Sequence, residues 1–332
     1  MVDTSYSGEL IIPEYVAGEK ITTIGENAFL DYTGLTSVVV PNSVTSIGSK
    51  AFSGCTGLTS IIIPSSITEI SKYAFAYSGL TSVIIPDSVS ELGSDVFVYC
   101  ESLVSITLSK SLTVINGELF YGCSSLASIV IPERVTEIKY DVFRGCTSLT
   151  SIVIPDSVTK IGNNTFMNCT SLTSIVIPEG VTKIGSQTFN GCANLASITI
   201  PDSITSIGKR AFVGCTSLTS ITIPDSVTSI GENAFESCSQ LTTVYVDDPN
   251  NLSSAVSSYD WSETGSSGVT FKKAIKPVKV SNLVINKMTL DQYKTAKSEG
   301  LADDEVYVVT DVDEAIDAKI EAAIGTAIGG SY

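Results

Sequence analysis

Apolar residues fall at fixed places in a unit that recurs along most of the chain, while the residues between them vary. One copy, LTSIVIPEGVTKIGSQTF from Leu172 to Phe189, follows LTSIVIPDSVTKIGNNTF from Leu149 and precedes LASITIPDSITSIGKRAF from Leu195, a step of 23 residues. A phenylalanine marks one place in each of ten copies: Phe29, Phe52, Phe75, Phe97, Phe120, Phe143, Phe166, Phe189, Phe212 and Phe235. Within the copy Leu172, Ile175 and Ile177 are apolar, Pro178 ends the run, and Val181, Ile184, Phe189 and Cys192 follow. Ile175 and Ile177 have the period of two of an extended strand, so each copy predicts one strand. No unit can bury such an apolar edge alone, so neighbours stack and the edges merge into one long core. At ~4.8 Å between strands the array is roughly 50 Å long.

The L-x-x-L-x-L spacing is that of leucine-rich repeats. The predicted fold is therefore a leucine-rich-repeat solenoid, β-rich, with ten 22–23-residue repeats and a parallel sheet, followed by a small α+β C-terminal tail. The fuller motif, I-x-I-P-x-x-V-T-x-I-G-x-x-A-F-x-x-C, resembles the BspA-like leucine-rich repeats of bacterial and some protist surface proteins over roughly residues 8–246. That resemblance implies that the strand-bearing face is the binding face.

The expected organisation is an N-terminal cap and first repeat over 1–34, regular repeats over 35–246, a C-terminal cap and linker over 247–268, and an attachment or oligomerisation tail over 269–332. The first copy holds five extra residues between Pro13 and its glycine-phenylalanine part. The opening MVDTSYSGELIIPEYV carries neither a basic start nor an apolar run of signal-peptide length. Export without such a signal, or a signal removed beforehand, is the expectation. Two edits break the regularity. In FAYSGL the Phe75 to Phe97 step is 22 residues, read as loss of the cysteine position between Tyr77 and Ser78, and Ser109 stands where proline should follow ITL. Each edit is expected to shift or loosen its own turn, and together to bend the array near its middle. In the C-terminal cap Leu252, Val256 and Tyr259 predict a short amphipathic helix over the last coil, helped by Trp261.

Between the two inward strand positions lies one outward residue per copy: Val39, Ile62, Ile84, Thr107, Val130, Val153, Val176, Thr199, Thr222 and Tyr245, flanked by hydroxyl pairs such as Thr173 and Ser174. A β-branched row is the natural filling of a parallel sheet. It is also the candidate docking face for a protein or glycan on a cell surface.

Composition removes other functions. With 35 acidic against 19 basic residues the formal charge is −16, which disfavours nucleic acid and anionic membrane as partners. Histidine is absent, which removes the commonest general base and the commonest imidazole metal ligand. The charged residues occupy variable positions and form no constellation, so neither catalysis, metal nor cofactor is predicted. Cys55, Cys100, Cys123, Cys146, Cys169, Cys192, Cys215 and Cys238 each fall three residues after a repeat phenylalanine, with Tyr32 at the equivalent place in the first copy. Side chains in such a ladder run parallel, which favours buried free thiols over disulfides.

In the tail, Thr289 and Gln292 form a capping-box signature, with Gly300 as a stop. Glu305–Val309 reads as a strand, and a second helix from Asp311 carries Ile316, Ile320, Ile324 and Ile328 in a narrow stripe suited to an oligomerising stalk, a homotrimer. The segment MTLDQYKTAKSEGLADDEVYVVTD resembles a short module of phage tail and baseplate-associated proteins. That second resemblance implies a receptor-binding protein on a virion tail, and the first a bacterial surface adhesin; both place the protein outside the cell.

Overall fold

The computed structural model describes residues 6–250 and 252–274, together with the backbone of two further strands, Asn286–Thr289 and Tyr307–Thr310. The chain divides into two units, Met1–Ala274 and Ile275–Tyr332.

The first unit is a right-through stack of coils, each with three sides. On the first side lie short strands such as Ser60–Ile62, Ser82–Ile84 and Ser174–Val176, each paired in parallel with the strand of a neighbouring coil. The register matches equivalent positions: Ser37 with Ser60, Val38 with Ile61, Val39 with Ile62. In each strand the central residue is buried and its neighbours face out, as a period of two requires. The pairing is not one unbroken sheet. It runs in groups of two or three strands, and Val130 and Val153 meet only as an isolated bridge.

Sequence periodicity predicts one strand per copy, and the structure has two. A second strand of two residues, such as Glu69–Ile70 or Lys183–Ile184, follows the proline turn and pairs in parallel with its equivalents. It is too short to show a period, which is why V-T-x-I-G gives no sign of it. Between the two strands the proline carbonyl accepts from the residue three ahead, as from Val181 to Pro178 at 3.0 Å, and closes a tight turn.

The third side carries the phenylalanines. Nine of the ten are fully buried, and adjacent rings lie 5.1–5.8 Å apart and within 15° of parallel. Two residues before each phenylalanine the backbone is left-handed, at Asn27, Lys50, Tyr73, Asp95, Glu118, Asp141, Asn164, Gln187, Arg210 and Asn233, with φ between 54° and 59°. Two residues after it the same conformation recurs, held by glycine in half the coils, for example Gly145 at φ 74°. This alternation aims every second N–H at the next coil. Phe166 donates to Thr188 at 2.9 Å and Asn168 to Asn190 at 2.7 Å, so a side without regular strands still satisfies its backbone.

All eight cysteines are buried and free. Each thiol donates to the phenylalanine carbonyl of the preceding coil, from 3.0 Å for Cys192 to Phe166 to 3.2 Å for Cys146 to Phe120. Burial pushes the Cys192 thiol up to about 12 and those of Cys55 and Cys100 up to about 11.

Both edits differ from their sequence reading. Ser78 occupies the cysteine position, buried, and shares a hydrogen bond of 3.3 Å with Cys100 Sγ. The missing residue lies after it, because one residue separates Ser78 from Leu80 where two separate Cys55 from Leu58. Ser109 does not loosen its turn. Leu112 still donates to its carbonyl at 3.3 Å, and the Ser109 hydroxyl donates to the Val89 carbonyl at 2.6 Å. In a regular coil the serine two residues past the proline fills that role, as Ser88 does to Ile67 at 2.5 Å.

The extra residues of the first copy fold as a hairpin, Tyr15–Val16 against Glu19–Lys20, turned by Ala17 and Gly18 at φ 52° and 85°. Two positive φ values are what a two-residue hairpin turn of right-handed twist demands. At the other end the helix Ser254–Ser258 buries Ala255 and Val256 against the last coil. Trp261 stacks on Phe235 at 5.3 Å as an eleventh rung, and the Tyr259 hydroxyl accepts the Phe235 N–H at 2.9 Å. Without a following coil that donor would be orphaned. The chain then returns: Thr270–Lys273 pairs in parallel with Thr243–Val246, so the stack reaches past the expected boundary at 268.

In the second unit, Asn286–Thr289 pairs in parallel with Tyr307–Thr310. The first strand was not expected, and Thr289, read as a helix cap, ends it; the second begins two residues after the predicted start at Glu305. The predicted helices, and with them Ile316, Ile320 and Ile324, lie outside the described residues.

Candidate ligand-binding face

Pleating alone decides where the outward row points. With Ile61 and Ile63 turned into the core, Ile62 must face away, and it is 66% exposed. The same geometry exposes Ile84, Val130, Val153 and Val176, of which Val130 at 81% and Val153 at 78% are the most open. Thr107 and Thr199 are also exposed, whereas Val39, Thr222 and Tyr245 are half-buried. Register extends the row by one coil at each end, through Ile11 beside Val39 and Lys272 beside Tyr245. Neither was found from the repeat motif, because both lie in the irregular end coils.

Two residues before each outward position stands a hydroxyl: Ser60, Ser82, Ser105, Ser174, Ser197. Where a threonine stands one place earlier, at Thr59, Thr81 and Thr173, its hydroxyl is committed. Thr59 donates to the Thr36 carbonyl at 3.2 Å and Thr173 to that of Thr150 at 3.3 Å, which ties coil to coil along the edge. The serines therefore form the freer rail beside the apolar row. Such a surface offers contact area and short donors and acceptors on a rigid lattice.

Titratable groups with altered behaviour gather instead on the third side. Burial, then the neighbouring Asp95 and Asp141, raises the Glu118 carboxyl. Asp95 also raises the Tyr73 phenol. Arg144 pairs with Asp141 at 3.1 Å and lies over the Tyr121 ring at 5.0 Å. Tyr99, hydrogen-bonded to Tyr121 and partly covered, is pushed up to about 12. Among the described residues no group of three or more His, Cys, Asp or Glu side chains is arranged to hold a metal ion. Nor is any described helix long and apolar enough to cross a membrane.

A parallel stack of short coils, apolar within and presenting one row of exposed side chains per coil on its strand face, defines a leucine-rich-repeat solenoid. The chain belongs to the BspA-type leucine-rich repeat family, whose model matches residues 22–150 and 136–260. No curated protein matches it in sequence. Among solved structures it is similar to a leucine-rich repeat protein from Bacteroides ovatus, with 24% identity over 92% of this chain and 94% of that one and a TM-score of 0.50. The pneumococcal vaccine antigen PcpA is 22% identical over 90% of this chain and 73% of its own, also at a TM-score of 0.50. A leucine rich cell surface protein from Faecalibacterium prausnitzii is 28% identical over 73% of this chain and 88% of its own, with a TM-score of 0.37.

Proposed function

We propose that this is a non-catalytic recognition protein of the cell exterior, an adhesin-like solenoid that binds a surface protein or glycan through its strand face. The observation that carries this reading is the row Ile62, Ile84, Val130, Val153 and Val176, apolar β-branched side chains left exposed on rigid coils, with the exposed Thr107 between Ile84 and Val130. Soluble surfaces seldom keep so long an apolar line without a use for it. Membership of the BspA-type family supports the same reading.

The test is adhesion of the purified protein to host cells and matrix proteins, compared with a Val130→Asp, Val153→Asp double variant. Both side chains point to solvent, so the fold should stand while binding falls at least ten-fold. Equal binding by the double variant would remove the strand face from consideration.

A second reading, display on a phage or prophage tail as a trimeric receptor-binding protein, rests on the motif from Met288 to Asp311 and the isoleucines Ile316, Ile320 and Ile324. Light scattering of the whole chain beside one stopped at Ala274 separates the two. A trimer formed only by the whole chain favours the tail-borne form, and two monomers favour the adhesin.

A further inference from the structure

The shortened coil has an effect beyond its own length. In a regular coil two residues bridge the cysteine to the next strand and form a small turn, as Thr56 does by donating to Gly54 at 2.8 Å. In the short coil Gly79 is the whole bridge. Its N–H donates to the Cys55 carbonyl at 3.1 Å. A Cβ on Gly79 would lie 2.2 Å from the Thr56 carbonyl oxygen, much as one on Gly57 of the full-length coil would lie 2.3 Å from that of Thr33. The coils before and after keep full-length bridges, at Thr56 and at Glu101 and Ser102. The recess between them has a volume of about 330 Å³.

One wall of the recess is aromatic. Tyr77 and Tyr99 line it and stack on each other at 5.3 Å and 14°, and Tyr99 in turn meets Tyr121 at 4.8 Å. Tyr77 heads the stack and is 51% exposed, because the equivalent residue of the preceding coil is Gly54 and adds no ring. Thr56, Glu101 and Ser102 line the rest of the recess, two residues with hydroxyls and one with a carboxylate.

We propose that this recess binds a neutral or amino sugar unit, stacked on the tyrosine wall and hydrogen-bonded to Glu101, Thr56 and Ser102. The volume falls within the range of small-ligand sites, about 300–1,000 Å³. A pyranose presents an apolar face of C–H groups and a rim of hydroxyls; an aromatic wall in a recess also lined by a carboxylate residue and two hydroxyl residues complements both. Glu101 and the formal charge of −16 act against sialic and uronic acids. A proline-rich peptide fits less well. It needs a groove between separate aromatic ridges, and here the rings are closed against one another into a single wall. The recess lies off the strand face, so the two sites stand or fall separately.

The test is a glycan array of neutral, amino-sugar and sialylated oligosaccharides, probed with the whole chain and with Tyr77→Ala, Tyr77→Phe and the Val130→Asp, Val153→Asp double variant, with matched thermal melts. The expected result is signal on neutral or amino sugars and none on sialylated ones. Tyr77→Ala should lose it at least ten-fold, Tyr77→Phe should keep it, and the double variant should leave it unchanged. No signal on any glycan, signal equal in Tyr77→Ala, or a proline-rich peptide captured through Tyr77 in place of sugar would overturn the proposal. Loss in the double variant alone would move sugar binding to the strand face.

Discussion

Each cysteine gives up solvent to complete a hydrogen bond to the coil before it. In the unfolded chain a thiol ionises near 9.0, and in the fold burial holds Cys55 and Cys100 near 11 and Cys192 near 12. Groups raised by folding contribute stability that is intact below the unfolded value and lost as pH climbs toward the folded ones. Circular dichroism across an alkaline titration should therefore show cooperative unfolding beginning above pH ~9, with a shallower slope in Cys169→Ala, Cys192→Ala. A slope unchanged by the double substitution would assign the transition to other groups. The native protein should leave all eight thiols unreactive to a soluble disulfide reagent at neutral pH and expose all eight in denaturant. Backbone strain is testable at the same scale. Gly145 has φ 74° but room for a methyl group, its nearest foreign atom being 3.6 Å from an added Cβ. Gly145→Ala should thus cost only the left-handed penalty, about 1–2 kcal/mol by denaturant melt.

At the scale of the element, Phe166→Ala removes a ring sandwiched at 5.5 and 5.6 Å between Phe143 and Phe189. The expected loss is about 3–5 kcal/mol, and a shift below about 1 kcal/mol would deny the ladder a core role. Trp261→Ala should act locally. Hydrogen exchange should quicken around Phe235 while coils near Phe120 keep their protection, since each coil contacts only its neighbours. What was legible in the sequence follows from how many residues speak for a feature. Ten copies of an apolar set declare the stack, the buried thiols and the outward row. Strands of two residues have no period to declare, and the left-handed positions beside each phenylalanine are filled by Lys, Tyr, Glu and Arg as readily as by Asn, so composition hides them. The recess at Gly79 escaped because a deletion reads as an absence. Only the coils on either side turn it into a space.

For the whole molecule, charge is the quantity that no single coil reveals. The described residues hold three ion pairs, and two of them, Lys20 with Glu14 and Lys209 with Glu232, lie on the surface with side chains at least half exposed. Acidic residues outnumber basic ones by 35 to 19, so like charges repel one another and screening them should help the fold. The melting temperature is expected to rise as sodium chloride is taken from about 0.01 M to 0.5 M, over which the screening length shrinks several-fold. A falling temperature would mean that the ion pairs outweigh the repulsion. The in-register stacking of equivalent rungs has a further consequence. A gene encoding such a protein can gain or lose a whole unit between the end pieces by slippage, and the product still folds, because every interior rung meets the neighbours it met before. Each gain lengthens the molecule by about 4.8 Å. Reach is therefore inherited as a tally of copies, free to vary from one descendant to the next while the architecture stays the same.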